Sequence, residues 1–298
     1  MLLSIALLIL LGIDWASGYA IAGYVMHHGV PPNGYAFWQS VGPLLCLFVL
    51  QLLRRDLSLI RGGIKYALGC GLFGIVIPNL LIYYTARHVD SGVLTLLANT
   101  APLFTYLLAL TLHQERFNTL RFLFVVLGFI GILIVVTPLR INLESHLHSN
   151  WLYVALIIPI CYAFSVVFVS KFKPATGNVL NYSFWMLLIS SIFISPLTIY
   201  TKEFYPITFH DFNAYLILLE VLLSALGYVL LFIIIHRVGP VFFTMVNAVA
   251  AVSGIFYARL IFNQQINTSA YLAMLLIIFA ICGLSILIHK RPNYKKVT

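Results

Sequence analysis

Apolar residues run along this chain in long stretches, each close to the roughly 20 residues that cross a hydrocarbon core, with only short polar breaks between them. The pattern predicts ten helices near 3–26, 35–53, 64–86, 92–113, 119–138, 150–171, 180–200, 212–235, 240–262 and 268–289. Because the stretches are continuously apolar rather than alternating, helices are expected and not the strands of a barrel. The fold class read from this pattern is an all-α membrane protein. The first stretch is read as a true span and not a cleaved leader, since nothing basic precedes it and Asp14 interrupts it.

Composition sharpens the picture. With 62% hydrophobic and 8% charged residues, no soluble domain of this size could keep enough polar surface in water. Thirteen of the 17 Lys and Arg residues fall on one side of the predicted spans, and only Arg87, Arg140, Lys202 and Arg259 fall on the other. Basic residues resist translocation, so both termini are expected in the cytoplasm of a protein of the cell inner (plasma) membrane. The net charge of +9 is spread over short loops and the tail. That distribution suits contact with the lipid bilayer and not with nucleic acid. Cys46, Cys70, Cys161 and Cys282 all lie within apolar runs and read as packing residues. His27-His28 and His146-x-His148 offer no further fixed ligand, so no metal site is expected. No phosphate-binding loop is present, and no cofactor is expected.

The chain also repeats itself. A shift of 147 residues lays Trp15-Ala16 over Tyr162-Ala163, and Tyr35, Phe37 and Trp38 over Tyr182, Phe184 and Trp185. A shift of 149 lays Val89 over Val238 and Asn118-Thr119 over Asn267-Thr268. The division falls into 1–143 and 144–298, five predicted helices each. An odd number of spans forces the second unit to enter the membrane upside down, so the repeat is inverted. Such repeats are a common basis for alternating access to a site near the midplane.

At this point the residues carry a resemblance. Ala86-Arg87-His88-Val89-Asp90-Ser91-Gly92, then Asn99-Thr100-Ala101-Pro102-Leu103-Phe104, Glu115-Arg116 and Gly128-Phe129-Ile130-Gly131, resemble the EamA family of the drug/metabolite transporter superfamily. The resemblance implies ten helices in two inverted halves, with a central cavity lined mainly by helices 1, 3, 4, 6, 8 and 9. Two positions depart from the family pattern. Gln264-Gln265 stands where an acidic residue is frequent, and Gln39 where the second helix often has arginine.

An ionisable side chain far from both membrane surfaces is costly and needs a reason. Asp14, mid-way along the first helix, and Glu220, in the eighth, meet that description. Either they bind a proton, a cation or a substrate ammonium, or they are buried carboxyls held neutral or paired with Ser17, a tyrosine or a basic neighbour. Arg259 lies about 6 Å from Glu220 in depth by helical rise. The pair could form an outer gate or a fold-specifying contact, or Arg259 could snorkel to the interface. Asn79, Asn99 and Asn247 are candidate cavity residues, with interhelical hydrogen bonding the competing role. Trp15, Tyr19 and Tyr162 offer aromatic walls for an apolar or cationic substrate, or ordinary packing.

Together these features point to a secondary carrier of small metabolites, amino acids or related amines, working by alternating access in the export direction, with protons coupled through Asp14 or Glu220. A passive facilitator of a small neutral or cationic solute stays open at this stage. A membrane-embedded enzyme would need a set such as His-Glu-x-x-His, and the chain has none. Monomer and dimer are equally compatible with the sequence.

Overall fold

A computed structural model describes residues 2–54, 64–113, 117–141, 146–172, 179–208, 210–243, 245–263 and 268–289. Arg55, Arg61, Glu115-Arg116, Lys173, Gln264-Gln265 and the basic tail from 290 lie outside the described residues, as do the side chains of His146 and His148.

All regular structure among the described residues is helical: α1 (Leu2–His27), α2 (Pro32–Leu53), α3 (Ile64–Gly71), α4 (Ile77–Thr85), α5 (Ser91–Ala98), α6 (Ala101–Thr111), α7 (Thr119–Ile141), α8 (His146–Phe172), α9 (Val179–Tyr200), α10 (Phe212–Phe243), α11 (Met245–Phe262) and α12 (Thr268–His289). Among the described residues, eight segments are long and apolar enough to cross a membrane, and Thr119–Ile134 and Tyr271–Leu284 are shorter apolar helices.

Two of the expected helices are not regular. A π-helical stretch, Leu72–Val76, joins α3 to α4. It ends just before Pro78, whose ring displaces the regular ladder and whose nitrogen donates nothing. The expected fourth helix breaks at Asn99-Thr100, between α5 and α6. Pro102 cannot donate to the carbonyl one turn back. At the break the backbone tightens into a turn, Thr100 N–H donating to the Leu97 carbonyl at 3.1 Å, and side chains add to it: Asn99 Nδ2 donates to the Thr95 carbonyl at 2.8 Å and Thr100 Oγ1 to the Leu97 carbonyl at 2.6 Å. A third difference concerns the expected loop at 236–239. α10 continues to Phe243 and α11 starts at Met245, because a helix that leaves an apolar layer need not stop where its polar residues begin.

The helices pack in a definite set of pairs. α1 lies against α10 and α11, α2 against α9 and α10, α8 against α4, α5 and α6, α3 against α9, α5 against α11, and α7 against α12. Since lipid is as apolar as leucine, close contact and interhelical hydrogen bonds hold such pairs together rather than a hydrophobic drive. α2 and α9 are joined near the middle by Ser40 and Ser190, hydroxyl to hydroxyl at 2.8 Å, and further along by Gln51 Nε2 donating to Asn181 Oδ1 at 3.1 Å. Outward faces remain apolar and exposed, as at Leu10, Ile13, Leu45 and Phe48.

The connection from α9 to α10 is tied to the start of α2. Asn33 donates its backbone N–H to Glu203 Oε2 and its side-chain amide to Thr201 Oγ1, both at 3.2 Å, while Trp38 Nε1 donates to the Tyr205 carbonyl at 2.8 Å. Phe204 packs against the rings of Phe37 and Trp38. The Tyr205 hydroxyl donates a hydrogen bond to Asp211 Oδ2. Burial, with that acceptor beside it, raises the Tyr205 phenol above its ordinary pKa.

Candidate functional site

Asp14 and Glu220 meet at the α1–α10 contact, and two glycines make the meeting possible. A Cβ added to Gly18 of α1 would sit 2.7 Å from Glu220 Oε1, and one added to Gly227 of α10 would sit 2.6 Å from Asp14 Oδ2. Each helix thus leaves a notch for the other's carboxylate. Residue numbers rise along α1 from Asp14 to Gly18 as they fall along α10 from Gly227 to Glu220, so the two helices run antiparallel. Both acids are 7% exposed, and Glu220 lies within electrostatic reach of Asp14. Two buried negative charges repel, and a proton or cation at the pair removes the repulsion.

Neither carboxyl is fully satisfied. Glu220 Oε1 accepts from Ser224 Oγ at 3.2 Å, and the same hydroxyl lies 3.1 Å from Gln39 Oε1 on α2. One hydroxyl hydrogen serves both acceptors. Glu220 Oε2, Asp14 Oδ1, Gln39 Nε2 and Tyr35 Oη are all buried without a protein partner. Leaving a buried polar group unpaired costs about 1–3 kcal/mol. Four such atoms around one helix contact mark a place that something else completes. Ser17 does not do so, because its hydroxyl donates to the Asp14 backbone carbonyl at 2.7 Å.

Aromatic side chains surround the acids. Trp15 shares the Gly227 notch, its indole nitrogen 3.3 Å from the added Cβ position. Tyr19 and Tyr162 approach each other across α1 and α8, with Tyr83 and Tyr228 close by. Tyr35 meets the Tyr83 ring edge-on, centroids 4.6 Å apart at 90°.

The other expected site residues lie elsewhere. Arg259 is exposed and donates from Nη1 to Tyr271 Oη at 3.0 Å. Of the roles left open for Arg259, a pair with Glu220 or a place at the interface, its described contact is with Tyr271 and not with Glu220. Arg259 lies in the last turn of α11, next to the exposed Leu260 and Ile261, and its guanidinium bonds Tyr271 of α12 instead. Arg259→Ala is therefore expected to leave transport within about twofold of wild type, as a rim contact would; a loss like that from an acid substitution would restore a gate role. Asn99 is used in the α5–α6 break, and Asn79 and Asn247 are half-buried on α4 and α11.

Of the residues that complete the site, Gln39 reads in the sequence as an uncharged polar residue expected to face the bundle interior, while Ser224 does not stand out. Gln39 stood out as a departure from a family pattern and Tyr35 as a marker of the repeat, although their spacing of four puts both on one face of α2. Ser224 stands the same distance after Glu220. That i, i+4 spacing was the available signal.

The model of the EamA-like transporter family matches residues 2–137 and 149–286. The uncharacterized transporter YoaV of Bacillus subtilis (strain 168) is 23% identical over 274 residues, covering 90% of this chain and 91% of that protein. A protein known from a crystal structure superposes with a TM-score of 0.64 at 13% identity, over 96% of this chain and 99% of the other. That likeness concerns the fold alone.

Proposed function

The chain belongs to the EamA-like transporter family, and from that premise we propose that it is a secondary carrier exporting small metabolites of the amino acid and amine class, by alternating access and coupled to protons. The membrane transporter is the family's common ground. Substrate class, direction and coupling are the proposal.

The observation that carries it is the acid pair. Asp14 and Glu220 are buried, within reach of each other, and each keeps an oxygen without a partner. Intramembrane acids are expensive, and where they persist they mark substrate, ion or proton paths. The aromatic side chains around them add faces that attract a cation. Among the described residues no Lys or Arg interacts with either acid, which argues against an anionic substrate at this place.

Alternating access is supported by the packing pattern. Exchanging α1 with α8, α2 with α9, the α3–α4 unit with α10, the α5–α6 unit with α11, and α7 with α12 turns the most extensive helix contacts into one another: α1 on α11 becomes α8 on α5 and α6, and α2 on α10 becomes α9 on α3. The pairs α2–α9, α5–α11 and α7–α12 map onto themselves. Such exchange symmetry is what two inverted five-helix units, ten spans in all, would produce, and two such packings can open a shared site to either side. The two matched stretches of the family model agree with that division.

The test is countertransport in proteoliposomes holding the purified protein. Vesicles preloaded with an unlabelled aromatic amine are expected to take up the labelled amine several-fold faster than empty ones, and an inward pH gradient is expected to change the rate. A passive facilitator would give no acceleration by preloading. Insensitivity to the gradient would remove the coupling.

A further inference from the structure

The four unpartnered atoms at the α1–α10–α2 contact differ in kind. Asp14 Oδ1 and Glu220 Oε2 belong to carboxyls, while Gln39 Nε2 is a pure donor and Tyr35 Oη can donate. The donors come from a single helix, one turn apart, and both side chains are almost fully buried: Gln39 is 3% exposed and Tyr35 0%. They sit beside the acids. Gln39 is joined to Glu220 through the Ser224 hydroxyl, and Tyr35 is within electrostatic reach of Glu220.

A ligand that completes all four must therefore offer donors at one end and an acceptor at the other. An ammonium group supplies the first. The second end is constrained by charge. The donors facing it are an amide and a phenol, both neutral, and among the described residues no cation interacts with either acid. Arg259, the nearest basic residue expected from the sequence, is exposed and bound to Tyr271. A carboxylate on the ligand would lie next to two buried acids with nothing to balance it, whereas a carbonyl or hydroxyl would take the Gln39 and Tyr35 hydrogens without that repulsion.

Resting on the reading of this place as an amine site, we propose that it selects an ammonium ion carrying a neutral hydrogen-bond acceptor beside the amine, as in an amino amide or amino alcohol, over both a zwitterionic amino acid and a bare alkyl amine. Asp14 and Glu220 hold the ammonium. Gln39 and Tyr35 read the neutral acceptor and determine specificity. A site built to hydrogen-bond a ligand group rejects the analogue that lacks it, because its own buried donors are then left unpaired.

Four probes with one side chain separate the possibilities: phenylalaninamide, phenylalaninol, phenylalanine and phenethylamine, each titrated calorimetrically into the full-length protein in lipid nanodiscs. Phenylalaninamide and phenylalaninol are expected to bind about tenfold or more tighter than the other two. In Gln39→Met that advantage over phenethylamine is expected to vanish, with phenethylamine itself changed by less than about threefold. Tyr35→Phe serves as the independent variant and is expected to reduce the same advantage by about threefold or more. Equal binding of phenylalaninamide and phenethylamine, or phenylalanine as the tightest probe, overturns the inference but leaves the amine site standing if Asp14→Asn still weakens the amines. Binding that Asp14→Asn and Glu220→Gln both leave unchanged overturns the amine reading itself. Absence of binding by all four probes overturns both.

Discussion

Asp14→Asn is expected to lower transport by about 100-fold or more and to remove its response to a pH gradient, while leaving the protein folded. The substitution keeps size and shape and removes only the capacity to carry a charge or exchange a proton. Asp14 lies 7% exposed with Oδ1 unpartnered, so no hydrogen bond to the protein is lost at that oxygen. The apparent melting temperature in detergent should stay within about 4 °C of wild type, the shift that about 1 kcal/mol produces in a protein of this size class. Glu220→Gln should resemble it in transport, but with a larger structural effect, because Oε1 also accepts from Ser224. Retained, gradient-driven transport in both variants would sink the assignment of the acids to coupling or binding.

The second large effect is expected from a methyl group. Gly18→Ala puts a Cβ 2.7 Å from Glu220 Oε1, and Gly227→Ala puts one 2.6 Å from Asp14 Oδ2, both closer than real contacts allow. The obstructed atoms are the ends of side chains, which can swing aside at little cost to the fold. The carboxylates then lose their positions. Displacement by a fraction of an ångström to an ångström costs roughly ten- to a hundredfold in function when geometry matters. Stability should move far less than transport. Glu220→Asp in the Gly18→Ala background shortens the acid away from the new methyl and is expected to recover part of the loss. The same cannot be done at Gly227, where Asp14 is already the shorter acid. Failure of that rescue, with equal loss of stability and transport, would reduce the glycines to ordinary packing residues.

The spans were legible in the sequence because each is a single apolar run, and the cost of an unpaired backbone in lipid leaves a helix as the natural outcome. Their interruptions were less so. Pro78 and Pro102 announce trouble, yet Pro43, Pro159 and Pro196 lie inside α2, α8 and α9 without dividing them. What differs is the local backbone, a π turn before Pro78 in one case and a turn at Asn99-Thr100 before Pro102 in the other. The acids were legible because charge in an apolar run is conspicuous. Their neighbours were not, since depth along a helix can be counted from residue numbers while the direction a residue faces depends on how helices are packed. That is why counting depth alone could not tell that Arg259 bonds Tyr271. It is also why Gln39, conspicuous on its own, and Ser224, which is not, are linked to Glu220 only once α2 and α10 are seen side by side.

The clasp between α2 and the α9–α10 connection bears on how the chain is made. Asn33 and its acceptor Glu203 are 170 positions apart. At ordinary synthesis rates of about 5–20 residues per second, the start of α2 waits roughly ten to thirty seconds for the partner that satisfies it. During that interval the first half of the molecule has an open seam, where Trp38 and Phe37 await Tyr205 and Phe204. Biogenesis of the second half is therefore the closing step for the first, and a ribosome that stalls between α2 and α9 would leave an unfinished surface for insertion chaperones or quality-control proteases to meet.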